Sequence, residues 1–439
     1  MNKRLVEKRV PSSRLARFAK LTGIATAVSG NVIKGVGKQL LKGERLSLSD
    51  SLLNADNANS ITTRLAQMRG AAMKLGQLLS MDAGELLPAE WEAILSRLRH
   101  QADAMPKKQL IQALNDAWGP EWHQQFSYFS FEPIAAASIG QVHRATLKSG
   151  EELAIKVQYP GVKESIDSDI DNVVGLIKLS RALPKHINID PLIAEAKLQL
   201  KTEADYLQEA AFLTQYRSNL AGKSHFIVPE VIDELSTETV LSMEYVEGQP
   251  INEIAVNSEL ANDVCAKLMA LTYIELFETK LMQSDPNFAN YLYQPSSKRI
   301  VLLDFGACRN IAEHTSSQYL AMAKAMQEQN IEAMQSALFE LGLIDNNMPE
   351  SVIKVILDAC LIASECLQSS PYSLKEAQLI KRIQRVSMPL ISDKISTVTP
   401  AFDVALVNRK ITGMILLANK LSATLDYKNA LTPYLAERT

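Results

Sequence analysis

Two short stretches, "QSDPNFAN" (residues 283–290) and "VLLDFG" (residues 301–306), constrain this chain more than any other feature. Asp285 and Asn290 stand five residues apart, and Asp304 opens an Asp-Phe-Gly turn just after a short β-rich run. Carboxylate and amide oxygens are the hard donors that Mg²⁺ prefers, and a site with so few protein ligands leaves its other positions to phosphate oxygens. Asn290 and Asp304 can therefore hold a metal jointly, provided the chain brings the loop and the turn together.

A second group of motifs lies upstream. The segment "ELAIKVQY" alternates so that Ala154 and Lys156 share one face of a predicted strand, with Ile155 and Val157 on the other. Fourteen residues before Lys156 is Val142, which closes "AAASIGQV". That segment occupies the place of the kinase phosphate loop GxGxxGxV, with Ala135 and Ala137 at the first two glycine positions and only Gly140 retained. Glycine serves there because its missing Cβ permits positive φ and close phosphate approach; alanine in such a conformation costs on the order of 1 kcal/mol. Residues Ala135, Ala136, Ala137, Ser138, Ile139, Gly140 and Val142 thus imply a nucleotide loop of a different shape. In the kinase pattern "LSMEYVEG" is the hinge, where Glu244 C=O and Val246 N–H would read an adenine edge with Met243 behind the base. On the predicted helix "LKTEADYLQEA", Glu203 and Glu209 are the candidate partners of Lys156. Six helical residues set them about 120° apart around the axis, so only one faces the lysine.

Around these motifs the pattern is helical over 49–122 and strand-like over 126–157. It is helical again over 162–220, with two more strands in "FIVPEVIDEL" and "TVLSMEYV". The remainder is helical apart from an insert at 291–305. The expected class is α+β, a protein-kinase-like bilobal fold. Its parts are a basic amphipathic arm (1–48), a helical extension (49–125), a kinase-like N-lobe (126–248) and a helical C-lobe carrying the catalytic loop and the DFG (249–439). A cleft between two such lobes is a natural ligand site.

With 439 residues, 47% of them apolar, the chain can bury a sizeable core. Its four cysteines form no CxxC pair, which points to reduced thiols and no structural zinc. Residues 1–45 hold eleven Lys or Arg against Glu7 and Glu44, so a net charge of -3 for the whole chain leaves the remainder near -12. The longest uncharged run in that arm, residues 21–33, is too short and too polar to span a bilayer. Ile33, Val36, Leu40 and Leu41 fall on one helical face and Lys34, Lys38 and Lys42 on another, a pattern that suits an anionic membrane surface or the acidic body of the same chain. The Arg-rich, acid-poor start is also similar to an organelle transit peptide.

Taken in order, these motifs resemble the UbiB/ADCK family of atypical kinase-like proteins, closer to the mitochondrial ADCK branch than to dedicated bacterial UbiB. The most specific marks are "KLGQ" (residues 74–77), matching the family's KxGQ, and "AAASIGQVH" in place of the glycine loop. Many bacterial members carry HxDxHPGN and two C-terminal spans, whereas this chain has "QSDPNFAN" and no C-terminal span.

The resemblance implies roles residue by residue. Lys156 would bind phosphate with Glu203 as its helix partner, Glu209 would be a second family glutamate, Asp285 the catalytic-loop aspartate, and Asn290 and Asp304 the Mg²⁺ pair. Lys74 and Gln77 would be regulatory, on a helix folded over the nucleotide cleft. The implied function is an ATP-binding, Mg²⁺-dependent ATPase or small-molecule kinase supporting ubiquinone or isoprenoid-lipid biosynthesis, with protein-kinase activity disfavoured because no APE-like segment follows the DFG. The rival is a nucleotide-switched scaffold or lipid-handling protein without turnover. Expected partners are ATP or ADP, a ubiquinone-pathway lipid or enzyme and an anionic membrane surface, with no nucleic acid. The expected place is cytoplasmic, peripheral on the inner membrane face, or mitochondrial in a eukaryote.

Overall fold

The computed structural model describes residues 104–137, 139–179, 190–392 and 400–436. They belong to two compact units, one running to Thr214 and including Glu230–Tyr245, the other made of Gln215–Pro229 and the chain from Val246 onward.

The first unit is built on an antiparallel sheet with the order β1-β3-β4-β6. These strands are β1 (Phe126–Phe129), β3 (Gly140–Leu147), β4 (Glu152–Gln158) and β6 (Val240–Glu244), and β2 (Ala135–Ala136) also pairs with β3. In the turn from β3 to β4, Gly150 takes φ 101°, a conformation open to glycine at little cost. Cross-strand partners project to the same side of a sheet. The registers Ala135↔Val142, Val142↔Lys156 and Lys156↔Leu241, with Ala154↔Met243, therefore put the motif residues on one face. Leu153, Ile155 and Val157 fill the other, each no more than 1% exposed.

That buried face also carries two polar side chains, Gln141 and His143, both fully buried. They survive there because each is hydrogen-bonded. The Met105 N–H donates to Gln141 Oε1 (2.7 Å), Gln141 Nε2 lies 2.8 Å from His143 Nε2, and His143 Nδ1 lies 2.8 Å from the Ser130 carbonyl. A neutral imidazole protonated at Nδ1 satisfies all three contacts. The chain of bonds ties Met105 to β3. Helix α1 (Lys107–Trp118) follows at once, burying Leu110 and Leu114 and ending at Gly119, where φ is 82°. Its Trp118 Nε1 donates to the Leu235 carbonyl (3.0 Å). Helices α2 (Val162–Leu179), α3 (Asp190–Glu203) and α4 (Tyr206–Asn219) come between β4 and β6, and α4 continues into the residues of the second unit.

The second unit is mainly helical. Helix α5 (Glu259–Tyr273) starts at Ser258, whose side chain accepts the Ala261 N–H, and leads through a π-turn (Ile274–Thr279) to β8 (Leu281–Gln283). A four-stranded sheet has the order β5-β10-β9-β7, from β5 (Phe226–Ile227), β7 (Gln249–Pro250), β9 (Tyr291–Gln294) and β10 (Arg299–Leu302). The strand expected over "FIVPEVIDEL" reduces to β5 and a 3-10 turn, because Pro229 has no N–H to continue a ladder, and β5 pairs in parallel with β10. After β11 (Cys308–Asn310) come α6 (Glu313–Glu328), α7 (Ile331–Glu340), α8 (Glu350–Gln368), α9 (Leu379–Ser392), α10 (Phe402–Leu421) and α11 (Tyr427–Ala436). Met322 and Met334 lie in the core that α6, α7 and α8 share, with Met326 packed against it. No helix among the described residues is long and apolar enough to cross a membrane.

The buried imidazole makes this fold sensitive to acid. Burial, against the opposing pull of the Ser130 carbonyl, lowers the His143 pKa from 6.5 to about 4. Between those values the unfolded chain takes up a proton that the folded chain refuses, so stability falls as pH drops from 6.5 towards 4 and levels off below, by about 3 kcal/mol in all. Urea midpoints measured across that range should show the slope in the wild type and a shallower one in His143→Leu. Equal slopes would contradict the assignment.

Candidate functional site

In the first unit the polar centre of the motif face is Lys156, which is 7% exposed. Its Nζ donates to both carboxylate oxygens of Glu209, at 2.7 and 2.8 Å, and lies 5.1 Å from the centroid of the Tyr206 ring. Tyr206 and Glu209 are i and i+3 on α4, so one helical face presents both. Glu209 also stands in the first turn of α4, where a carboxylate is favoured by the helix dipole.

The assignment of Glu203 as the helix partner of Lys156 is corrected by this geometry, and the reason is local. The segment "LKTEADYLQEA" is not one helix: α3 ends at Glu203, and α4 begins at Tyr206. Asp205 accepts the Gln208 N–H (3.1 Å) to start the new helix, and Gln158 Nε2 holds the Ala204 carbonyl (3.0 Å) at the break. A 120° relation along a continuous helix does not apply across that turn. Glu203 is the buried last residue of α3, and the carboxylate that grips Lys156 with both oxygens is Glu209.

The alanine segment is a β-hairpin. Ala135 and Ala136 pair with Val142 and Gln141, the Ile134 N–H donates to the Val142 carbonyl (2.8 Å) and the Ala137 N–H to the Gly140 carbonyl (2.9 Å). Ala135 and Ala136 are exposed, Ala137 is half-buried and Ile139 is buried. Gly140 is required for packing: a Cβ there would lie 2.5 Å from the Val157 carbonyl oxygen and 2.6 Å from Tyr206 Oη. The glycine lets β3 sit down on β4 and on the first residue of α4, the helix that carries Glu209. Met243 is buried in β6 and Glu244 is its exposed last residue, while Val246 is half-buried at the start of the second unit's main segment. Ser138, Lys74 and Gln77 lie outside the described residues, as does the basic arm.

In the second unit, the loop after β8 carries Asp285 and Asn290. Ser284 anchors its start, with N–H and Oγ both donating to the Ala307 carbonyl (3.1 and 2.7 Å). Asn290 Nδ2 donates to the Asp285 carbonyl (3.2 Å), and the Leu303 N–H donates to the Asn290 carbonyl (3.1 Å). That last bond places Asp304 one residue from the partner of Asn290, so the structure brings the two predicted metal ligands together. Asp304 Oδ1 accepts the Gly306 N–H (3.0 Å), which orients the carboxylate. Phe305, 1% exposed, packs against Tyr216 with ring centroids 5.0 Å apart. Among the described residues no group of three or more His, Cys, Asp or Glu could hold a metal by itself. An oxygen pair from Asn290 and Asp304 fits Mg²⁺ that completes its shell with phosphate and water.

Behind this loop sits a polar cluster that sequence reasoning missed. Lys410 of α10 is fully buried, with Nζ 2.9 Å from Glu275 Oε2, 3.0 Å from the Gln283 carbonyl and 3.1 Å from Tyr291 Oη. Tyr291 Oη donates to Gln283 Oε1 (3.2 Å), and Tyr216 Oη lies 3.1 Å from Glu275 Oε1. Burial alone would lower the Lys410 pKa, but the charge of Glu275 and contact with Tyr291 outweigh it and hold the ammonium above its ordinary value. A cavity of about 10 Å³ is lined by residues of this cluster and by the two candidate ligands, Glu275, Gln283, Asn290, Tyr291 and Asp304 among others. The signal was in the periodicity. Lys410 falls on the apolar stripe Val404, Val407, Met414, Leu417 and Leu421, and Glu275 continues the Leu268 and Leu271 stripe of α5.

Comparison with known proteins gives concordant matches. The family model described as ABC1 atypical kinase-like domain matches residues 97–338. The protein named "Atypical kinase COQ8B, mitochondrial" of Danio rerio is 33% identical over 435 residues, 98% of this chain and 69% of that protein. "Atypical kinase COQ8, mitochondrial" of Saccharomyces cerevisiae is 34% identical over 420 residues, 94% of this chain and 83% of that protein. A Mycobacterium tuberculosis protein solved in complex with erythromycin superposes with a TM-score of 0.60 at 24% identity, covering 92% of this chain and 99% of that one, a likeness of fold.

Glu209→Gln should destabilise the protein by about 3 kcal/mol in urea unfolding, because it breaks a buried ion pair by removing the charge of the carboxylate whose two oxygens both accept from Lys156 Nζ. The double variant Lys156→Met/Glu209→Gln should recover most of that loss, since neither charge then remains. Wild-type stability in Glu209→Gln would contradict the pairing.

Proposed function

This chain belongs to the ABC1 atypical kinase-like family and has that family's α+β kinase-like fold, and on that premise we propose that it binds ATP with Mg²⁺ and turns it over, as an ATPase or a small-molecule kinase. The observation that carries the reading is the backbone bond from Leu303 to Asn290, which sets Asn290 beside Asp304. Mg²⁺ there would neutralise charge on the phosphates. Lys156, oriented by Glu209, bonds phosphate oxygens, and Asp285 orients the attacking hydroxyl or water. The hinge reading of Met243, Glu244 and Val246 and the regulatory reading of Lys74 and Gln77 go with it.

A small acceptor is favoured over a protein. Only residues 307–312 separate Gly306 from α6, which leaves little chain to build a peptide-docking platform. The Danio rerio and Saccharomyces cerevisiae relatives are named mitochondrial atypical kinases. A supporting role in ubiquinone or related isoprenoid-lipid metabolism, at a membrane surface reached through the basic arm, accords with the resemblance from which it was first expected.

Asp304→Asn tests the metal pair. It removes a charged ligand from a site with few, so Mg²⁺-dependent phosphate release should fall to background while the protein stays folded. Near-wild-type release would contradict the assignment. A wild type that binds nucleotide with Mg²⁺ but releases no phosphate above background, with membranes present, would instead support the nucleotide-switched scaffold.

A further inference from the structure

The loop that carries Asp285 and Asn290 touches α10 at three places along its length. Lys410 Nζ donates to the Gln283 carbonyl at its start (3.0 Å) and to Tyr291 Oη just past its end (3.1 Å). Gly413 meets its middle: a Cβ at that position would lie 2.2 Å from Pro286 Cβ and 2.3 Å from Pro286 Cγ. Lys420 Nζ stands 5.0 Å from the centroid of the Phe288 ring. Residues 410, 413, 417 and 420 recur at helical spacing, so a single face of α10 follows the loop from Gln283 to Tyr291. That face lies beyond residue 338, where the match to the family model ends.

A lysine is a costly way to fill the stripe. Packing alone is served as well by methionine or leucine, and a buried ion pair contributes little net stability over such a replacement. Lys410 adds direction. An ammonium has three donors, and here they meet the Glu275 carboxylate, the Gln283 carbonyl and the Tyr291 hydroxyl. Gln283 and Tyr291 bracket Asp285 and Asn290, so those bonds set where the loop starts and stops. Gly413 adds the third constraint by letting Pro286 seat directly on the helix backbone.

We propose that Lys410 and Gly413 are positioning residues: α10 is the template that holds Asp285 and Asn290 in register for the turnover proposed above, on which this inference rests. Neither is a catalytic residue, since each acts through the loop. Displacing a reacting group by about 1 Å costs on the order of 10²-fold in rate, so a loop freed from this template loses turnover before it loses its fold.

Lys410→Met alone would strand Glu275 and unfold the unit, so the informative variants are Lys410→Met/Glu275→Gln, which leaves no buried charge, and Gly413→Ala. For each, the measurements are thermal melting, kcat and KM for ATP with Mg²⁺, and amide hydrogen exchange over residues 283–291. The expected result is a cooperative melt, kcat lowered by about 10²-fold with KM within about twofold, and faster exchange in that loop. A merely structural role would leave kcat intact in the molecules that remain folded. Wild-type kcat in both folded variants overturns the inference. If the wild type itself shows no turnover, the activity reading has failed; loop exchange then decides the positioning, faster exchange sustaining it and unchanged exchange overturning it.

Discussion

An ammonium group with no exposed surface persists only where every donor meets an acceptor, and Lys410 imposes that condition on the second unit. Its three partners come from the π-turn after α5, from the end of β8 and from the start of β9, three pieces of chain that local preferences alone would not bring together. Leaving any one of them unmade exposes a desolvated charge, a loss of a few kcal/mol against a total stability of similar order. The packing of α10 and the course of the loop between β8 and β9 are consequently set by one condition. The antiparallel pairing of β9 and β10 continues in a bond from the Leu303 N–H to the Asn290 carbonyl, which leaves Asp304 next in the chain to the residue bonded to Asn290.

The first unit solves a similar problem around Lys156. Glu209 meets the lysine with both oxygens, and Tyr206, one turn earlier on the same helix, packs beneath Gly140. The absence of one Cβ thus links the alanine hairpin, β4 and α4. Behind them the sheet's other face buries Gln141 and His143 within a run of hydrogen bonds from Met105 to Ser130. The two faces divide the work: apolar side chains and a closed polar chain hold the sheet, and the motif residues project from the opposite side.

Much of the candidate site's layout was legible because the proposed chemistry depends on short spacings. Asp285 to Asn290, the DFG and the alternation around Lys156 can be read from neighbours in the chain, and the strands and turns that carry them stand where those patterns placed them. The partner of Lys156 was not legible in the same way. A helical pattern ran through "LKTEADYLQEA", yet Gln158 from a distant strand takes the Ala204 carbonyl and Asp205 starts a new helix, so the carboxylate that arrives is Glu209. Gly140 could be recognised as necessary, but its reason, close contact with Val157 and Tyr206, comes from residues far along the chain.

By itself the sequence determined which side chains could do chemistry, where strands alternate, where helices carry an apolar stripe and which family pattern the motifs follow, because each of these depends on periods of two to four residues or on fixed local spacings. Lys410 and Gly413 show the limit. In the sequence one is a charge on an apolar stripe and the other a glycine within a helix; in the fold one meets Glu275, Gln283 and Tyr291, and the other meets Pro286. Those contacts span more than a hundred residues of chain. No local preference encodes them, and only the packing of α10 against the loop, driven by burial of its apolar stripe and by the need to satisfy a buried charge, decided which residues they join.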